Sequence, residues 1–175
     1  MEASSSAAAR GGSVTMSVGQ IAEILTMAVL AWVLKGLGWK WTLILGVLGH
    51  VIRFGLFALT KDPAIAIALN LLHGICYAFF FATVYIFVDD FFPKDARSSA
   101  QGLFNVLILG VGPFVANMVW PMLAGMSKTA EGGTDFSKFF LYPSGLAALG
   151  AVLLLVGFWP PKGDVPGDGK AVLPH

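Results

Sequence analysis

Apolar residues run along this chain in blocks long enough to be counted in helical turns, and they do not alternate with polar ones at strand spacing. A helix needs roughly 20 such residues to cross the hydrocarbon of a bilayer. On that measure the pattern predicts an all-α membrane protein with about five transmembrane helices, at residues 16–35, 41–60, 64–88, 98–126 and 139–159. The interruptions have mechanisms of their own. Lys35-Gly36-Leu37-Gly38-Trp39-Lys40 is a charged tight turn, and Lys61-Asp62-Pro63 and Phe92-Pro93-Lys94-Asp95 each stop one helix and start the next, because proline suits only the first helical turn. Loop 127–138, with Gly132-Gly133, is the longest connector. Residues 1–15, rich in Ser, Ala and Gly, and residues 160–175, rich in Pro and Gly, are expected to be disordered tails around a helical bundle at 16–159.

Composition narrows the function classes. Apolar residues make up 57% of the 175 and charged ones 12%, half the share usual in soluble domains, so no water-soluble core could hide this surface. The net charge of +1 leaves no basic excess for nucleic acid, and none is expected as a partner; membrane lipids are. The single cysteine, Cys76, has no mate for a disulfide, supplies no thiolate metal site and reads as packing. Placing the N-terminus outside puts Lys35, Lys40, Lys94, Arg97, Lys162 and Lys170 on the cytoplasmic side, against Arg10, Lys61, Lys128 and Lys138 outside, in keeping with the positive-inside rule. Trp32, Trp39, Trp41, Trp120 and Trp159 fall near helix ends, where interfacial anchors belong.

The polar residues kept inside the bilayer carry the candidate chemistry. Glu23 and Arg53 lie about fifteen residues to either side of the 35–40 turn, which at about 1.5 Å per residue sets them at one depth in neighbouring helices. Unpaired, each would cost a few kcal/mol at the bilayer centre, so they are expected to pair; a purely structural ion pair or separate snorkelling stays open. Gln20, three residues before Glu23, shares its helix face and adds an amide. In the third helix Asn70, His73 and Tyr77 fall on one face, continued by Phe80, Phe81 and Val84. An amide, an imidazole and a phenol followed by aromatic rings suit a small flat solute with polar edges, although interhelical hydrogen bonding would use the same groups. Gln101, Asn105 and Asn117 add polarity to the fourth helix, whose Gly110-Val111-Gly112-Pro113 is expected to kink or thin it, as a gating hinge or, the favoured reading, for close packing. The fifth helix has only Ser144 near its start and is expected to face lipid. With no second histidine beside His73, no metal site is expected, and no cofactor either. No Ser/His pair shares a span, and Asp89-Asp90 read as an interface cap or a partner for Arg97, so the pattern is not that of an intramembrane enzyme.

These segments resemble the nucleoside:proton symporter family of the major facilitator superfamily. The runs Ser17-Val18-Gly19-Gln20-Ile21-Ala22-Glu23, Lys35 to Lys40, Val51-Ile52-Arg53-Phe54-Gly55, His73-Gly74-Ile75-Cys76-Tyr77, Tyr85-Ile86-Phe87-Val88-Asp89 and Arg97-Ser98-Ser99-Ala100-Gln101-Gly102 stand in the family's order and spacing over about residues 17–159. The resemblance implies that the five helices are the eighth to twelfth of a twelve-helix permease, a partial carboxyl-terminal bundle. It further implies that Gln20, Glu23 and Tyr77 line a nucleoside site, with Phe81 a stacking candidate; Asn70 and His73 join them as substrate-binding candidates from their shared helix face. The expected protein is therefore a multi-pass permease of the cell (inner) membrane, carrying nucleosides with protons by alternating access when complete. Because the superfamily binds substrate between two halves, a missing N-terminal half or a partner helical bundle is expected, and the Ser/Ala-rich start reads as a chain begun in mid-domain. Two other readings remain: a permease for another small polar solute such as a sugar, and a non-transporting membrane scaffold that binds helices.

Overall fold

The computed structural model describes residues 2–60 and 62–160, with side chains from residue 24 onward except at 63 and 71. Helix α1 (Glu2–Leu59) consists of two limbs that meet at Gly38, whose φ of 74° and ψ of 175° no helical residue adopts. Positive φ costs glycine little and other residues more, so the expected 35–40 turn contracts to that one residue. Thr42, fully buried, donates its hydroxyl to the Gly38 carbonyl at 2.8 Å and satisfies an acceptor that the break frees. The bounds of α1 also take in residues 2–15, which the sequence pattern leaves before the first span.

Four helices among the described residues are long and apolar enough to cross a membrane: Ile24–Leu59, Ala64–Phe91, Lys94–Met126 and Phe136–Gly157. The first contains the Gly38 break, so the first two of the five expected spans are the limbs of α1. The second comprises α2 (Pro63–Leu69), α3 (Leu71–Tyr77), a π-helical segment at Ala78–Ala82 and α4 (Thr83–Phe91). It starts as the Asp-Pro pair predicts: Pro63 occupies the first turn, and Asp62 Oδ1 accepts from the Ala64 N–H at 2.8 Å. The third comprises α5 (Lys94–Asn105), a second π-helical segment at Val106–Val111 and α6 (Gly112–Met126). The last is α7 (Phe136–Gly157), capped by Asp135, whose Oδ1 accepts from the Lys138 N–H at 3.2 Å.

The connector before α7 is a tied loop. Lys128 and Thr134 pair as an antiparallel bridge, Asp135 N–H donates to the Ser127 carbonyl at 2.7 Å, and Gly132 turns the chain with a φ of 82°. Lys138 Nζ reaches the Met126 carbonyl at 3.3 Å and covers the open C-terminal end of α6.

Helix α1 is the centre of the bundle, packed mainly on α7, on α3 and on the first π segment. Lipid offers no hydrophobic drive for helix association, so close van der Waals fit has to do that work. Gly46 and Gly49 provide it: a Cβ on Gly46 would stand 2.7 Å from the Phe80 nitrogen, and one on Gly49 would stand 2.6 Å from Cys76 Sγ. Cys76 is fully buried there, in the packing role its sequence context suggests. Against α7, Ser144 donates to the Val51 carbonyl at 3.0 Å, and Phe140 stacks on Phe54 and Phe57 with ring centroids 6.5 and 5.2 Å apart. The fifth expected helix therefore packs on α1 with one face, while Leu146, Leu149, Leu153 and Val156 remain exposed on the lipid-ready side.

Two expectations need correction. Trp39 is no interfacial anchor: it is 3% exposed and boxed edge-on by Phe87 and Phe91, with centroids 5.3 and 5.7 Å away. A residue next to the Gly38 break is drawn into the contact between helices. Trp32 and Trp159 are exposed as anchors should be, and Trp159 takes Lys40 Nζ over its ring at 3.7 Å. Nor does Gly110 make a close packing contact among the described residues, where a Cβ would meet nothing within 4 Å; the irregularity of this helix lies in the π segment that ends at Val111.

Candidate functional site

The polar and aromatic stripe of the third expected helix is built around two irregularities. Asn70 sits where α2 gives way to α3; its N–H donates to the Ile67 carbonyl at 3.0 Å and its carbonyl accepts from the His73 N–H at 3.1 Å. One turn on, His73 is exposed, followed by Tyr77 at 38% exposure and then by Phe81, whose ring centroid lies 5.2 Å from that of Tyr77. The π segment begins directly after Tyr77. Its wider turn suits a four-residue spacing, so the stripe runs 73, 77, 81 and on to Tyr85, and π turns of this kind recur at functional sites.

Facing helices complete the stripe at both ends. Arg53, on the second limb of α1, donates from Nη1 to His73 Nδ1 at 2.9 Å, while its guanidinium carbon lies 5.3 and 5.5 Å from the rings of Phe54 and Phe57. At the other end Phe104 of α5 meets Phe81 and Tyr85, with centroids 6.3 and 5.3 Å apart, and the Tyr85 hydroxyl donates to Asn105 Oδ1. The stripe thus runs from a cation, through an imidazole and a phenol, to a cluster of aromatic rings. It is an open face.

The structure therefore brings together His73, Tyr77, Phe81 and Arg53, and it puts Asn70 at the helix junction beside them. The side chains of Gln20 and Glu23 lie outside the described residues, and so does the expected Glu23–Arg53 pair. Asn117 does not contribute to a cavity wall, because its Nδ2 donates back to the Pro113 carbonyl at 2.9 Å on its own helix. Asp89 pairs with Arg97 at 2.8 Å, one of the two roles expected of it, and as a partly exposed ion pair it contributes little to stability.

Two residues escaped the sequence reading. His50 lies one turn from Arg53, within electrostatic reach of both Arg53 and His73, and its Nδ1 is buried with no hydrogen-bond partner among the described residues. His73 is thus not a solitary imidazole; the three-residue spacing to Arg53 was the available signal. Tyr85 is the second, legible only once a four-residue spacing is carried through the π turn. No group of three potential metal ligands occurs among the described residues.

A separate cleft of ≈ 740 Å³ opens at the loop end, between Phe57, Thr60 and Asp62 on one side and Thr134, Asp135 and Phe140 on the other. Neither Tyr77 nor Phe81 lines it. Its carboxylates are engaged as the helix caps of α2 and α7.

The model of a family described as nucleoside H+ symporter matches residues 3–163. Xanthosine permease of Escherichia coli K12 is 30% identical over 153 residues, covering 83% of this chain and 36% of the permease. Nucleoside permease NupG of the same organism is 27% identical over 150 residues, covering 83% and 36% respectively. A crystal structure of a mutant of the nucleoside transporter NupG superposes with a TM-score of 0.74 at 26% identity, over 85% of this chain and 38% of that one. The chain spans little more than a third of the length of these relatives.

Proposed function

Because the chain belongs to the nucleoside H+ symporter family, we propose that it forms the carboxyl-terminal helical portion of a nucleoside permease and carries one wall of its substrate site. The observation that carries this reading is the open stripe of His73, Tyr77 and Phe81 joined to Arg53. A nucleoside has a flat base and a polyhydroxylated ribose. The base stacks on Tyr77 and Phe81, an arrangement worth about 0.5–1.5 kcal/mol beyond its buried area. The ribose hydroxyls meet the amide of Gln20 and the carboxylate of Glu23, with Asn70 at the far end of the stripe. Glu23 also pairs with Arg53, so that neither charge stays unmatched within the bilayer.

An open wall needs a second layer. In this reading the remaining helices of a permease, or a partner bundle, close over the stripe, and the two bodies rock about the bound solute while protons accompany it. The protein sits in the cell's inner membrane, with the Gly38 turn and residues 160–175 in the cytoplasm. Cysteines introduced at positions 37 and 168 should resist a membrane-impermeant thiol reagent applied to intact cells and react once the cells are opened. Labelling of both from outside would reverse the orientation.

To test transport, the chain is fused behind the N-terminal half of a related permease, and uptake of labelled uridine and adenosine into vesicles is measured with and without an inward proton gradient. Gradient-stimulated nucleoside uptake, weakened by Tyr77→Ala, is the expected result. Uptake of sugars in place of nucleosides would assign the site to another polar solute. Correct insertion with no uptake of either would leave a membrane scaffold as the better description.

A further inference from the structure

We infer that the cleft at the loop end seats the headgroup of a lipid from the surrounding bilayer, and that it favours a primary ammonium head, as in an ethanolamine phospholipid, over choline and glycerol heads. Depth is the first reason. The cleft is bounded by Phe57 and Thr60 where the first spanning helix ends, by Asp62 just before the second begins, and by Thr134, Asp135 and Phe140 between the third and the fourth. Hydrocarbon about 30 Å thick is flanked by polar layers, so a cleft where spans begin and end lies among lipid heads. On the α7 side its border is apolar: Phe136 is 64% and Leu141 59% exposed, and Leu149 and Leu153 stay exposed further along the helix. A lipid can thus seat its head in the cleft and lay its chains along α7.

Charge decides which head. Asp62 and Asp135 bring carboxylates to the cleft, Thr60, Thr134 and Ser137 bring hydroxyls, and no lysine or arginine is among the described residues that line it. Each carboxylate caps a helix through one oxygen, accepting from the Ala64 N–H at 2.8 Å and from the Lys138 N–H at 3.2 Å. An ionised carboxylate has about four acceptor sites, so both keep capacity for a ligand's donors. The rings of Phe57, Phe140 and Phe136 follow one another in a row, with centroids 5.2 and 6.4 Å apart, and aromatic faces attract cations as well. A primary ammonium brings three N–H donors to these acceptors. Choline, fully methylated, brings none, and a glycerol head leaves the lipid with a net negative charge that the carboxylates repel. Lys128, exposed and paired through its backbone with Thr134, is the neighbouring cation for the lipid phosphate.

The chain, purified in dodecyl maltoside, is titrated with dioleoyl lipids that share their chains and differ in the head, and bound lipid is counted by native mass spectrometry. From phosphatidylethanolamine through its monomethyl and dimethyl derivatives to phosphatidylcholine the head loses its N–H donors one at a time. Affinity should fall stepwise along that series, by about tenfold in all, and phosphatidylglycerol should also bind more weakly than phosphatidylethanolamine. The double variant Asp62→Asn, Asp135→Asn keeps both helix caps, because asparagine caps about as well as aspartate. It should lose most of the preference while circular dichroism shows its helicity unchanged. Equal affinity for all heads, or a preference for phosphatidylglycerol, would overturn the inference on the wild-type chain alone, and a preference that survives in the folded double variant would overturn its assignment to this cleft. Phosphoethanolamine, the same head without chains, should displace the lipid only at far higher concentration. Displacement at equal concentration would make the occupant a free amine and end the lipid reading.

Discussion

Gly46→Ala should destabilise the helical bundle by about 3 kcal/mol, the upper end of what overpacking costs, because the added methyl meets backbone. Its Cβ would stand 2.7 Å from the Phe80 nitrogen and 2.9 Å from the Phe79 carbonyl carbon, and neither can rotate away. Gly49→Ala should cost less, about 1–2 kcal/mol, because the obstacle is the sulfur of Cys76 at 2.6 Å, and that atom can be removed. The double variant Gly49→Ala, Cys76→Ala should therefore be more stable than the sum of the single changes allows, by at least about 0.5 kcal/mol. Unfolding in mixed lipid–detergent micelles, followed by near-ultraviolet circular dichroism, provides the measurement. A fully tolerated Gly46→Ala would mean that α1 and the first π segment do not approach each other as described, and simple additivity at Gly49 and Cys76 would deny their contact.

The second large effect is expected at Arg53. If Glu23 pairs with Arg53 as proposed, replacing either by glutamine should cost about 3 kcal/mol, since it leaves one charge uncompensated in a medium that solvates it poorly. The double change should cost distinctly less than the two singles together. Arg53→Gln carries an added loss that Glu23→Gln does not, because it also alters the 2.9 Å bond to His73. Comparing Arg53→Gln in wild-type and His73→Leu backgrounds separates the two contributions. If the Glu23 and Arg53 changes add without coupling, the carboxylate does not neutralise this guanidinium, and His73 is then its principal partner.

Both predictions depend on approaches between residues far apart in the chain, and there the limits of sequence reading lie. The apolar block lengths determined an all-helical membrane bundle, because the hydrocarbon thickness and the rise of a helix leave little choice of element. Asp62-Pro63 marked its helix start through chemistry local to a single turn, whereas the Asp135 cap lay inside the expected 127–138 loop, and the order of Gln20, Arg53, His73-Gly74-Ile75-Cys76-Tyr77 and Arg97 carried the family likeness. The same periodicity placed His73, Tyr77 and Phe81 on one face, since four-residue neighbours on a helix adjoin wherever it packs. Only the tertiary structure decided what that face meets. A uniform helical period has no means of announcing the π turns at Ala78–Ala82 and Val106–Val111, so the continuation to Tyr85 was hidden. Trp39 looked like an anchor because it lies beside a turn, but the turn proved to be one glycine, and its neighbour was pulled into the aromatic contact with Phe87 and Phe91. Partnership across helices is likewise absent from one-dimensional spacing: the α1 residue Arg53 and the α3 residue His73 share no periodic relation, and close packing at Gly46 and Gly49 is what brings their two helices near enough to bond.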